Sequence, residues 1–223
     1  MRPAARPVDP LVEQLAKHVA SDQLVTYLAD WQRPKVYPPV GYDQVALAET
    51  RLGFLLPDLL REIYTKVGNG GFGPGYGLIG LNGGATDRVG TDERNLIQCY
   101  ESRRFDPDWP EKLLPICTWG CAIYSCLDCS RPGVPVISYD PNGNDHPPGR
   151  QPNIFHFESL ADWIERWLRG EDLWELMYSG AHLRDAATPA PTKSEDLPGL
   201  PAKDNHVARP FRAFLLRIAR RRQ

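Results

Sequence analysis

The sequence predicts an α+β fold: a single domain in which a mainly antiparallel sheet is flanked by helices. Three stretches predict it. Residues 49–71, ETRLGFLLPDLLREIYTKVGNGG, read as a helix running into a glycine-rich turn. From 113 the texture changes to LLPICTW, AIYSCLD and PVISYD, short β-rich runs separated by Gly and Pro. Residues 159–170, SLADWIERWLRG, return apolar residues at helical spacing.

Each element has a local reason. Residues 9–30 place Leu11, Leu15, Val19, Leu24, Val25 and Leu28 on one helical face, with a break near Ser21-Asp22. A proline-rich link at 34–39 follows. Pro57 has its φ preset and no N–H to waste, so it suits the first turn of a helix, and Asp58 favours the positive end of the helix dipole. Leu59, Leu60, Ile63 and Val67 then share a face opposite Asp58, Arg61, Glu62 and Lys66. Gly68-Asn69-Gly70-Gly71 is expected to cap this helix in a left-handed conformation, and GLIGL at 77–81 to form a strand. Residues 91–104 read as a helix capped by Thr91. Residues 140–153 read as a long polar loop, and NIFHF at 153–157 as a short strand. Ser159 and Asp162 form a capping-box pattern for a helix that carries Leu160, Trp163, Ile164, Trp167 and Leu168 and stops at Gly170. Beyond about 180 the Ala/Thr/Pro-rich composition predicts disorder, ending in a basic amphipathic helix with Phe211, Phe214, Leu215 and Ile218. The expected organisation is an N-terminal helical extension (1–39), a folded domain (40–178), a flexible linker (179–209) and a basic helix (210–223).

The composition, 42% hydrophobic and 24% charged over 223 residues, suits a globular chain long enough to bury a core without disulfides. Net charge is −2, but residues 181–223 carry nine Lys/Arg against four Asp/Glu, a balance of +5, which leaves −7 for residues 1–180. An acidic body suits a basic partner and argues against direct nucleic-acid binding, since phosphates would be repelled. No stretch approaches the ~20 apolar residues of a membrane helix, and no apolar leader follows the initial MRPAARPVDP, so neither membrane nor export is expected and the compartment is the cytoplasm. Five cysteines, an odd number, fit a reducing compartment.

The order of motifs resembles the SMI1/KNR4 family, the SUKH superfamily. The resemblance rests on Glu49, Leu52-Gly53, Leu56-Pro57, Tyr64 and Asn69-Gly70-Gly71, resumes at ICTWGCAIYSCLD (116–128, with Trp119 and Gly120), and again at 154–174, with Trp163, Trp167 and Gly170. It implies that these residues are structural. It also implies a non-catalytic binding protein: bacterial members are typically immunity proteins that bind and block a cognate toxin domain, and fungal members look like scaffolds.

Other patterns have bland and sharp readings. Cys117, Cys121, Cys126 and Cys129 match the thiol count of a zinc site, but their spacing lacks paired knuckles and lies along two strands, where alternation points Cys117 and Cys121 the same way but Cys126 and Cys129 to opposite faces from each other. Residues 68–73 match G-x-G-x-x-G, yet helix precedes and strand follows, the reverse of a dinucleotide site. Asp140, Asn142 and Asn144 begin an EF-hand-like loop that lacks its Gly and final Glu. His146 and His156 have no framing nucleophile motif. The reading is therefore of no catalytic residue, no cofactor and no metal, with a protein, a toxin domain, as partner. Trp109, in DPDWP, either anchors a partner or tucks back onto its own domain. The expected contacts are Asp106, Asp108 and Trp109 with Asp140, Asn144 and Asp145. A regulatory scaffold and a zinc protein stay open as alternatives.

Overall fold

The computed structural model describes residues 9–21, 35–89, 92–104, 109–141 and 153–178. The chain divides into two units, Met1–Leu183 and Arg184–Gln223, and every described residue lies in the first. The expected linker and basic helix, and the 22–30 part of the first helix, lie outside the described residues.

The first unit is α+β, with the strands concentrated in one four-stranded antiparallel sheet. Helix α1 (Pro10–Ala20) starts at Asp9, whose carboxylate accepts the N–H of Leu11 at 2.9 Å. Its Leu11 and Leu15 enter the same core as the rest of the unit, and His18 meets Trp167 edge-on at 4.9 Å. Helix α2 (Tyr42–Leu52) buries Val45, Ala48 and Leu52, and ends at Gly53, φ 80°. Pro57 stands one residue earlier than expected, as the N-cap of α3 (Asp58–Glu62). Leu60, Ile63 and Tyr64 are fully buried.

Two expectations for the next segment are corrected. The helix widens into a π-helical turn, Ile63–Val67, which closes with Gly68 N–H donating to Ile63 O at 3.0 Å. Gly68 is extended, so the helix has no left-handed cap there; the left-handed residues are Gly70 and Gly71. Nor does GLIGL form a strand. Leu78 makes a single bridge to Cys117, because of this stretch only Ile79 donates to the adjacent strand, at Ile116, with Tyr76 just before it donating to Thr118, while Leu78 and Gly80 turn to Phe72 and Ala85.

A small hairpin follows, β1 (Asp87–Val89) with β2 (Asp92–Arg94), and then α4 (Leu96–Arg103). The helix expected from Thr91 thus starts later. Asn95 caps it in a reciprocal box, accepting Gln98 N–H at 3.0 Å while the Gln98 side chain accepts Asn95 N–H at 2.9 Å. This satisfies two backbone donors at once, an advantage Thr91 lacks without Glu or Gln three residues on.

The main sheet has the order β3 (Leu113–Gly120), β4 (Ile123–Asp128), β5 (Val136–Tyr139), β6 (Asn153–Phe157). Register pairs Cys126 with Ile137 and Tyr124 with Tyr139. Alternation sends Leu114, Leu127 and Val136 to the helical side, where they pack with α5 (Leu160–Leu168) residues such as Trp163. Ser159 Oγ accepts Asp162 N–H at 3.1 Å; the Asp162 carboxylate pairs with Arg166 at 2.8 Å. A last helix, α6 (Leu173–Tyr178), buries Leu173 and Met177. Among the described residues no helix is long and apolar enough to cross a membrane.

Candidate partner-binding face

The family-motif residues are joints. Glu49 Oε1 accepts both the Leu56 N–H at 2.9 Å and Arg61 Nε at 2.6 Å, tying the end of α2 to α3. Tyr64 donates its buried hydroxyl to Ile79 O at 2.6 Å. Asn69, 2% exposed, accepts Leu81 N–H at 2.7 Å and donates to Asn82 O at 3.3 Å, holding the glycine loop against the 78–85 stretch. A Cβ on Gly70 would meet Leu78 O at 2.4 Å. Trp119 donates to Ser125 Oγ at 2.9 Å and lies 5.7 Å from the Trp174 ring. Trp163 is fully buried, and its indole N–H has no partner among the described residues.

The second face of the main sheet is chemically different. Leu113, Tyr124, Cys126 and Ile137 make a small cluster there, separate from the main core, and Trp109 closes over it with Tyr139 alongside. Trp109 is 8% exposed. It donates its indole N–H to Leu113 O at 2.9 Å and meets Tyr139 edge-on at 4.9 Å. Of the two readings of this loop tryptophan, the structure takes the second: the ring is packed against its own domain and is no exposed anchor. At the end of α4, Arg103 sets its guanidinium 5.1, 5.3 and 5.4 Å from the ring centroids of Trp109, Tyr124 and Tyr139. Tyr124 donates to Asp87 Oδ2 at 2.6 Å, and the carboxylate is 3% exposed. Burial, then the neighbouring Asp87, pushes the Tyr124 phenol up from its ordinary range.

Asp140 stands one residue after Tyr139 and is itself buried, so it is a poor direct contact. Asp106, Asp108, Asn144 and Asp145, with His146, lie outside the described residues, as does the His156 side chain. Trp109 is the first described residue after 105–108, and Tyr139 and Asp140 stand just before 142–152; of these described residues, Trp109 and Tyr139 meet on the second sheet face.

The cysteines do not converge. Cys117 packs in the main core and Cys126 in the cluster on the other face, while Cys121 occupies the β3–β4 turn at φ 52° and Cys129 follows β4. The turn, and bulges between Pro115 and Cys117 and between Thr118 and Gly120, break the simple alternation expected for these thiols. Burial pushes Cys129 and Cys99 up to about 12 and raises Cys117 and Cys126 as well, so these four thiols stay protonated at neutral pH. Among the described residues no three His, Cys, Asp or Glu side chains group as a metal site.

Sequence reasoning did not find Arg103, Tyr124, Tyr139 or Asp87. Arg103 reads as an ordinary helix-end cation, and only the fold places it beside three rings from separate elements.

The sequence matches the SMI1 / KNR4 family (SUKH-1) over residues 39–167. No curated protein and no solved structure matches the chain. The match runs from just before α2 to near the end of α5 and takes in the Glu49, Asn69 and Trp119 joints as well as the second sheet face. By this span, more than half of its length, the chain belongs to the SMI1 / KNR4 family (SUKH-1).

Proposed function

We propose that this protein is a non-catalytic immunity protein that neutralises a cognate toxin domain by covering its active-site surface. The observation that carries the reading is the meeting of Trp109 and Tyr139 at 4.9 Å, since these are described residues next to the two acid-bearing stretches of the sequence, 105–108 and 142–152. Family membership is compatible with this role. The −7 balance of residues 1–180 suits a toxin with a basic substrate cleft, as a nuclease has, because opposite charge accelerates encounter. The proposed contacts are Asp106, Asp108, Asn144 and Asp145; Trp109 and Asp140 move from contacts to supports, because both are buried.

The test is co-purification of the full chain with a toxin domain encoded beside its gene, followed by affinity against salt. Lysine at positions 106, 108, 144 and 145 should weaken binding at least tenfold and flatten its salt dependence. Unchanged affinity and slope would remove this face from the interface. Recovery of housekeeping proteins, with no toxin encoded nearby, would favour a regulatory scaffold.

A further inference from the structure

We propose that the outward face of α2 is a docking surface for a second copy of this chain, the two α2 helices lying antiparallel across a twofold axis. Among the described residues the exposed large hydrophobics are Tyr42, Leu47, Leu55 and Tyr76, and the first three, 70%, 62% and 68% exposed, fall on α2 or just past its end. Scattered single apolar side chains on a surface need no explanation, but a group of them on one element marks a contact. Val45, Ala48 and Leu52 serve the core from the other side of the helix. On the outward side Tyr42, Ala46 and Thr50 follow one another a turn apart, and Asp43, Leu47 and Arg51 form the row beside them, all six exposed. Thr50 commits its hydroxyl to Ala46 O at 2.9 Å, so its remaining substituent is a methyl group.

The order of charges says what fits this face. Asp43 and Arg51 stand four residues to either side of Leu47. Turned about a twofold axis through Leu47, the face is its own complement: Asp43 of each copy meets Arg51 of the other, and Leu47 packs on its counterpart. Ala46 is small enough to let the two helices approach closely. Tyr42 of one copy comes level with the end of α2 in the other, where Leu55 is exposed. A uniformly basic partner would confront Arg51 with like charge, and a uniformly acidic one would do the same to Asp43. Arg51 also holds Glu101 of α4 at 2.6 Å, but its side chain is 46% exposed and a guanidinium has donors for a second carboxylate. With a net charge of −2 per chain, long-range repulsion between copies is small. An 11-residue helix is only ~16 Å long, which puts the paired area at the low end of specific interfaces and the dimer Kd at about 10–100 µM.

The test is sedimentation velocity of the full chain from about 1 µM to about 1 mM, with thermal melts to show that each variant is folded. The parent should pass from monomer to dimer across this range. Leu47→Asp should raise the dimer Kd at least tenfold, and so should Asp43→Arg and Arg51→Glu taken singly, because each sets like charges opposite one another. An equimolar mixture of Asp43→Arg and Arg51→Glu should dimerise about as well as the parent, since both charge pairs are present again in the mixed dimer. A parent that stays monomeric at 1 mM overturns the proposal. So does a dimer indifferent to Leu47→Asp, which would pair through another face, and so does a mixture that stays monomeric. A monomeric parent whose affinity for a toxin domain falls with Leu47→Asp would give this face to that partner in place of a second copy. Pairing through α2 requires nothing of the immunity role, so either can fail while the other stands.

Discussion

One carboxylate oxygen, Glu49 Oε1, stands 2.6 Å from Arg61 Nε and also accepts the Leu56 N–H, so a single side chain closes the reversal between α2 and α3. The glutamate side chain is 12% exposed, which places the pair between a surface bridge and a buried one. Replacing Glu49 by Ala leaves the Leu56 N–H without its acceptor and Arg61 with only its exposed partner Asp58, 3.1 Å away. The expected cost is about 2 kcal/mol in urea unfolding, with Glu49→Gln costing about half because an amide oxygen still accepts the Leu56 N–H. In a double-mutant cycle with Arg61→Met the two changes should couple by about 1 kcal/mol. Purely additive changes would show that the contact contributes nothing.

The glycines test whether close approach or backbone angle dominates. Gly70 and Gly53 have nearly the same φ, 82° and 80°, but a Cβ at Gly70 would lie 2.4 Å from Leu78 O while one at Gly53 meets nothing within 4 Å. Gly53→Ala should therefore cost only the left-handed penalty, about 1–2 kcal/mol. Gly70→Ala adds a backbone collision and should cost more than about 3 kcal/mol or abolish folding. Equal losses in thermal melts would mean that φ alone sets the cost.

The same comparison shows what the sequence could carry. Periodicity placed α3 and α5 because their apolar faces repeat every three to four residues, and Ser159 marked the start of α5. Thr91 misled because it resembles a cap, while the stronger signal, Asn95 with Gln98 three residues on, stood four residues later. GLIGL looked like a strand because apolar runs do not reveal where their N–H groups go; here Leu78 and Gly80 bond back into their own loop. Of the candidate site, the acid-bearing stretches read from acids and prolines lie outside the described residues. Arg103 was not legible, because its three rings come from sequence positions up to 36 residues away and meet only through sheet register.

Alkaline pH should destabilise the protein. Burial first, then the charge of Asp87, raises Cys99 from an ordinary thiol value of 9.0 to about 12. Burial, then Asp128, does the same to Cys129. Both folded values lie above the unfolded value, so the folded state holds protons that the unfolded chain releases. The stabilisation is complete below pH 9 and is lost as pH rises from about 9 to about 12. Each group steepens the fall by up to about 1.4 kcal/mol per pH unit. Cys99→Ala should lower stability at pH 7 by leaving a small cavity, yet make the decline between pH 9 and 12 shallower. Parallel stability curves for the two proteins would contradict the assignment.

The hydroxyl of Tyr124 offers the most direct probe of the second sheet face. It donates to Asp87 Oδ2 at 2.6 Å with the carboxylate 3% exposed. Tyr124→Phe keeps the ring, and with it the contact to Arg103, but removes a donor from a buried carboxylate. Hydrogen bonds to charged groups contribute more than neutral ones, and an abandoned buried charge costs more than the bond itself. Denaturant unfolding should show a loss of about 2–3 kcal/mol. Asp87→Asn, which keeps an acceptor without the charge, should lose less, and combining it with Tyr124→Phe should recover part of the sum, because the two side chains act on one bond. A Tyr124→Phe variant as stable as the parent would mean that water or another donor replaces the phenol. In that event the cluster around Arg103 would be held by ring packing alone.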